Sequence, residues 1–235
     1  VMASLGFKPE AYNLLIIGAN QRRKYWAEQL RGVGLFCQAH PEVEVRLYFH
    51  THMETGGDAD MPLLLRECGL EGKWVGPDAY TLACGGYSEE QLVPMVNCAD
   101  VVLNACEEGF GLVQAQAQAC GVAVLTLTDT VGSEIVQYGI EVGTMGTDYA
   151  APLLKPIPSP LSVGEALEAL YPLRGQRNDQ AVQHIRQHYS WDVVAQQWGA
   201  LIEKLMWERE RYSLYVPTSP APLLLERAAR EVRVP

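Results

Sequence analysis

The chain has 235 residues, 48% of them apolar and 20% charged, an ordinary balance for a globular protein with room for one large domain or two small ones. Acidic side chains outnumber basic ones 28 to 18, and the net charge of −10 excludes broad nucleic-acid binding and strong attraction to anionic lipid. No apolar run approaches the length that spans a bilayer, and the opening residues Val1 to Phe7 lack the long apolar core of a signal peptide. A cytoplasmic protein is expected, peripheral to a membrane only through a partner. Six cysteines, at 37, 68, 84, 98, 106 and 120, form no Cys-x-x-Cys pair, and Cys37 with His40 finds no second pair to complete a zinc set. They read as free thiols, and no metal site is expected.

In chain order, Asn13 to Ile17 is an apolar run that ends at Gly18 and reads as a buried parallel strand. Asn20 to Lys24 leads into a helix through Tyr25, Trp26, Leu30, Val33 and Leu35. Three adjacent cations, Arg22, Arg23 and Lys24, stand where a helix macrodipole disfavours positive charge. Two readings fit them: a solvated surface run, or a cluster at a strand's carboxyl end that neutralises a diphosphate. Val43 to Phe49 is a second strand, followed by His50-Thr51-His52, a loop pair for which no shared metal is expected. A loop over 53–60 precedes a helix over 61–68 that Pro62 starts and Gly69 closes. Trp74-Val75-Gly76 is a short third strand leading to a loop that ends in Gly85-Gly86, and Ser88 caps a helix running to Asn97.

The centre of the chain is 101–125. The apolar runs Val101-Val102-Leu103 and Val122-Ala123-Val124-Leu125 flank Glu107-Glu108-Gly109-Phe110-Gly111 and a breaker-free stretch with three alanines. The pattern predicts strand, tight glycine turn, helix, strand, a βαβ unit whose turn lies at the carboxyl end of the first strand. Glycines there serve either backbone geometry alone or the close approach of an anion to the helix N-terminus. Glu108 beside the turn can accept hydrogen bonds from hydroxyl groups of the same ligand.

Beyond this unit, Gly132-Ser133-Glu134 fits a capped helix start, and 139–146 predicts a short strand and turn. Pro152, Pro156, Pro158 and Pro160 predict an irregular connector that is not helix. Helices are expected over 162–171 and 178–189. A last long helix opens at Ser190-Trp191, with Trp191, Val194, Ala195 and Trp198 on one stripe. The organisation is one α/β domain over 1–212, a doubly wound, Rossmann-like parallel sheet with C-terminal helices, and a proline-containing tail over 213–235 with a short amphipathic helix at 223–232.

The string from Glu108 to Gly121 resembles the Glu-Gly-Phe-Gly-Leu-Pro-x-x-Glu-Ala-x-Ala-Cys-Gly segment of retaining GT-B glycosyltransferases, family four in particular. The acid, Gly-Phe-Gly, Leu112, Ala117, Ala119, Cys120 and Gly121 fall in register, while the family's proline is Val113 and its second glutamate is Gln116. The Asn-x-x-Arg-Lys type loop of the family is matched by Asn20, Arg23 and Lys24, and its small-residue loop by Gly132-Ser133-Glu134. The resemblance covers residues 5 to 212 but only the second, donor-binding half of such an enzyme. It implies that the chain is a fragment, or that an N-terminal acceptor-binding half is a separate polypeptide.

What the resemblance implies about chemistry is transfer of a sugar from a nucleotide diphosphate sugar to an unidentified acceptor, with retention and without a metal or other cofactor. Arg23, Lys24 and the amides of Leu112 and Val113 would meet the diphosphate, and Asn20 would brace their loop. Glu108, more than Glu107, would hold sugar hydroxyls. Gly109, Phe110 and Gly111 would form the turn beside the ligand, Val75 and Gly76 would hold the base through the backbone, and Gln116 would face the ribose without a charge to assist it. Two other readings stand beside this one. One is a non-catalytic sugar-nucleotide-binding or scaffolding module. The other is an epimerase or dinucleotide oxidoreductase on a related sheet, against which the first strand's Gly18-Ala19-Asn20 lacks Gly-x-Gly-x-x-Gly.

Overall fold

The computed structural model describes residues 1–51, 53, 57–78, 86–148 and 155–213. Cys84, Gly85, His52, Pro152 and the tail with its expected helix at 223–232 lie outside the described residues. The chain divides into two compact units, Val1–Tyr189 and Ser190–Pro235. The second unit's described element is the long helix Trp191–Ser213, and everything that follows concerns the first.

Six strands, β1 (Tyr12–Ile17), β2 (Val45–His50), β3 (Trp74–Val75), β4 (Val101–Asn104), β5 (Ala123–Leu127) and β6 (Gly139–Val142), form a wholly parallel sheet in the order β3-β2-β1-β4-β5-β6. Among the described residues the helices between them are α1 (Trp26–Ala39), α2 (Met61–Glu67), α3 (Glu89–Cys98), α4 (Leu112–Ala119) and α5 (Gly132–Ile135). This is the doubly wound, Rossmann-like architecture that the alternation of apolar runs with helical stretches predicts. Strands β1, β4 and β5 are mostly apolar, with Asn13, Asn104 and Thr126 as buried polar members, because both sheet faces are covered. Successive residues divide between the two sides: Leu14 and Leu103 enter one core with Leu30, Val33 and Phe36, whereas Leu15 and Val102 enter the other with Met95, Val96 and Ala117.

The register pairs Leu14 with Val101 and Leu15 with Val102, so β1 and β4 lie side by side at the centre. There the winding reverses, and the loops leaving the two strands diverge to opposite faces. In open α/β sheets this crevice at the carboxyl ends is where ligands bind.

Three expectations are corrected. Arg22–Lys24 forms a single 3-10 turn, and the α-helix begins only after Tyr25 has adopted a left-handed conformation at φ 48°. The cations therefore stand outside α1. The stretch 139–146 divides between β6 and a strand β7 (Thr144–Asp148) that leaves the main sheet. Lys155–Pro158, expected as irregular connector, is strand β8, paired antiparallel with β7, and Pro160 opens helix α6 (Pro160–Leu170) at its first turn. A two-stranded ribbon leaves one side of each strand unbonded, so the prolines at 156 and 158 can stand where no ladder donor is needed. Helix α7 (Asp179–His188) follows. Among the described residues no helix is long and apolar enough to cross a membrane.

Candidate functional site

The loop after β1 carries Asn20 and the cations. Asn20 is clamped on the segment before α2: its Nδ2 donates to the Ala59 carbonyl at 2.8 Å and its Oδ1 accepts from the Ala59 amide at 3.1 Å. The Arg22 amide donates to Asp58 Oδ2 at 2.6 Å, and the Trp26 indole to the Ala19 carbonyl at 3.1 Å. Held at both ends, the 3-10 turn directs Lys24 inward, and its side chain lies over Gly18, whose missing Cβ would stand 3.3 Å from Lys24 Cε.

The loop after β4 carries the acids. Lys24 Nζ donates to Glu108 Oε1, and Arg23 Nη1 lies 3.5 Å from Glu108 Oε2. The structure thus brings together Arg23, Lys24 and Glu108, which are more than 80 residues apart in sequence. Side-chain exposure is 8% for Lys24 and 14% for Glu108, against 43% for Arg23. A shielded ammonium and carboxylate are thereby matched, with the arginine closing the solvent side. Glu107 points elsewhere, to Lys155 at 3.6 Å.

Next to Glu108 the glycine turn feeds α4. Gly111 is its N-cap at φ 85°, and a Cβ there would stand 2.2 Å from Gln114 Oε1, so both conformation and space demand glycine. Around Gly109 a Cβ would meet nothing within 4 Å. No side chain caps α4, and its first-turn amides, including those of Leu112 and Val113, face the crevice end of the helix. The arrangement offers two cations, a helix N-terminus and one carboxylate around a common space, a set suited to an anion joined to a hydroxylated group.

The other expected residues are placed apart from this group. Phe110 is half exposed and meets the Tyr189 ring edge to face at 6.0 Å. Val75 and Gly76 end β3, three strand spacings from β4, which at about 4.8 Å each is about 14 Å from the acidic turn. Only an extended ligand could touch both. Gln116 is exposed on α4, while Gln114 and Gln118 are buried on its opposite side. Among the described residues, no three His, Cys, Asp or Glu side chains gather as a metal-binding group.

Sequence reasoning missed three buried residues that set this geometry, Gln29, Gln114 and Cys106. Gln29 donates from Nε2 to the Lys24 carbonyl at 2.7 Å and accepts from the Ala105 amide at 3.0 Å, which ties the cationic loop to the acidic one. Gln114 donates to Thr126 Oγ1 at 2.8 Å and fixes α4 against β5. The Cys106 thiol donates to Asn104 Oδ1 at 3.2 Å and lies 3.7 Å from Glu108 Oε1. Burial, with Glu108 beside it, pushes that thiol up to about 12 despite Lys24 nearby, so it stays protonated. Gln114 and Gln118 carried a signal, being four apart on a helix that buries the face between them. Gln29 carried none.

No protein-family profile matches the sequence, and no curated protein sequence matches it. Solved structures do match it by fold. A glycosyltransferase from Rickettsia africae superposes at a TM-score of 0.67 and 10% identity, over 87% of this chain and 50% of its own. Sucrose-phosphate synthase from Thermosynechococcus elongatus gives 0.65 and 18%, over 87% and 48%. HepE from Anabaena, solved with UDP and glucose, gives 0.58 and 14%, over 83% and 48%. The fold is that of a Rossmann-like domain of GT-B glycosyltransferases, and the chain spans about half the length of the structures it matches.

Proposed function

We propose that the chain is the donor-binding half of a retaining, metal-independent glycosyltransferase. It takes a sugar from a nucleotide diphosphate sugar and delivers it to an acceptor held by an N-terminal half, in the same enzyme or in another polypeptide. The observation that carries the reading is the convergence of Arg23 and Lys24 on Glu108 beside the N-terminus of α4, at the crevice where the sheet reverses.

In this reading the bond between the anomeric carbon and the β-phosphate oxygen breaks, and its electron pair leaves on the diphosphate. Arg23, Lys24 and the amides of Leu112 and Val113 meet that growing charge with dipoles fixed before the reaction, which stabilises the transition state more than the ground state. Glu108 accepts from sugar hydroxyls and holds the reacting carbon against the incoming acceptor oxygen on the same face, which bonds to that carbon as its proton passes to the leaving diphosphate. Gly109 leaves the space the ligand occupies. Asn20 braces the cationic loop, Phe110 and Gly111 shape the turn, Val75 and Gly76 offer backbone groups to the base, and Gln116 meets the ribose. The reading places the chain in the cytoplasm, peripheral to a membrane through its partner.

A second reading, a non-catalytic sugar-nucleotide-binding module, is favoured by Gln116, whose amide accepts without charge assistance and holds a ribose less tightly than a carboxylate would. Titration calorimetry with UDP, GDP, ADP and their sugars tests both. Selective binding of one base, with sugar transfer once an acceptor half is supplied, supports the enzyme. Selective binding without transfer supports the module, and binding of none of these ligands overturns both.

A further inference from the structure

Tyr25 is the most unusual residue of the first unit. Its φ of 48° is a backbone conformation that bulky side chains rarely adopt, and only it and Asp129 do so among the non-glycine residues described. It is 5% exposed, and its hydroxyl is buried without a hydrogen-bond partner. Strained backbone and an unsatisfied buried donor each cost free energy, and such costs collect at functional sites.

Two adjoining cavities, of about 220 and 400 Å³, share Gln21, Arg22, Tyr25, Asp58 and Asp148 in their walls. Trp26 and Ile157 line the smaller one and supply an apolar side. Arg22, whose side chain is 70% exposed, spans the opening to Asp148 at 3.1 Å. Neither Lys24 nor Glu108 lines either cavity, and the larger one reaches Arg23.

The chemistry of the walls selects among ligands. Burial, and then the carboxylates of Asp148, Glu107 and Glu28, push the Tyr25 phenol up to about 12, so it is a donor waiting for an acceptor among acids. An anion could accept from it but would be repelled by those carboxylates. An ammonium would suit the carboxylates but has no lone pair for the phenol. A hydroxyl group does both at once, accepting from Tyr25 while donating to Asp148 in place of Arg22. Planar polar groups at Gln21, Arg22 and Asp58, around an apolar side formed by Trp26 and Ile157, suit a ring that carries several hydroxyls on a carbon skeleton.

We propose that this cavity is a saccharide-binding site in which Tyr25 and Asp148 share one sugar hydroxyl. It goes beyond the donor reading, which needs only the residues around Glu108. The sugar comes from one of two sources, the ring carried by a nucleotide sugar or a separate saccharide.

Saturation-transfer NMR and calorimetric titration of the full chain with glucose, galactose, mannose, N-acetylglucosamine and glucuronate test this, each with and without UDP or UDP-glucose. A neutral sugar is expected to bind, with glucuronate weaker because of the surrounding carboxylates. Tyr25→Phe removes a hydroxyl that has no partner in the free protein, so it leaves the melting temperature intact while weakening the sugar by about threefold to tenfold. Ile157→Trp fills the smaller cavity and abolishes sugar binding, with UDP affinity unchanged in both variants. Displacement of the free sugar by UDP-glucose but not by UDP assigns the site to the donor's own ring. Binding that persists beside UDP-glucose assigns it to a second saccharide. Absence of binding for every sugar, or binding unchanged in both variants, overturns the proposal. Loss of UDP binding alone, with the sugar retained, counts against the donor reading and leaves this one standing.

Discussion

Replacing Lys24 by alanine removes the shielded ammonium from the proposed path of the diphosphate. A charge-assisted hydrogen bond is worth about 1.5–3 kcal/mol. In the free protein Lys24 already serves Glu108, so a diphosphate gains only the difference. The lower end applies, about 1.5 kcal/mol, or roughly tenfold in Kd. The variant also loses stability, because Glu108 retains only Arg23, at 3.5 Å. Breaking a fully buried pair costs about 3–5 kcal/mol, and the remaining arginine and partial exposure reduce this to about 1–2 kcal/mol. For a domain of this size that is a fall of roughly 2–8 °C in Tm. Calorimetric titration with UDP, GDP and ADP, paired with thermal denaturation, separates the two effects. Lys8→Ala is the control, since it removes the same charge from an exposed pair with Glu44. A Lys24→Ala protein that melts lower yet binds the preferred nucleotide as wild type does would refute the placement of the diphosphate.

Glu108→Gln releases both cations and replaces the charged acceptor for sugar hydroxyls with a weaker, neutral one. The nucleoside diphosphate should bind as well as before or more tightly, while the extra affinity contributed by the sugar disappears; a variant that still prefers the nucleotide sugar would exclude Glu108 from that role. Gly109→Ala should keep wild-type stability, because nothing in the protein occupies that space, and lose ligand affinity. Gly111→Ala should lose stability by about 1–2 kcal/mol from its left-handed φ alone, which denaturant titration of the two variants compares directly. For Cys106, the folded thiol is held above its unfolded value, so the unfolded chain releases a proton that the folded chain keeps. Its contribution to stability is whole below about pH 9 and is lost as pH rises toward about 12. Urea unfolding of the wild type and Cys106→Ala across that range should show a shallower fall for the variant.

The sheet was legible because buried parallel strands write themselves as continuous apolar runs, and 14–17, 101–103 and 122–125 are such runs. The acidic turn was legible because two glycines flank an aromatic at a strand end. What misled was local chemistry without its tertiary setting. Pro156 and Pro158 read as breakers, yet in a two-stranded ribbon each occupies a place where no ladder bond is required. The three cations read as a helix opening because nothing in the sequence announces that a tyrosine will take a left-handed conformation after them. The convergence of Arg23, Lys24 and Glu108 was stated from resemblance, and only the fold closes the distance between loops from two different strands.

Gln29 has a consequence of its own. Its single amide group grips the backbone after β1 with one end and the backbone after β4 with the other, at 2% exposure. The spacing between the positive and negative sides of the crevice is therefore set from beneath, by a helix of the core, before any ligand arrives. The two loops form one jaw with a fixed gape, and selectivity must come from what fits that gape. Inherited change in either loop is answerable to the other: an insertion after β1 would drag on Ala105, and one after β4 would drag on Lys24.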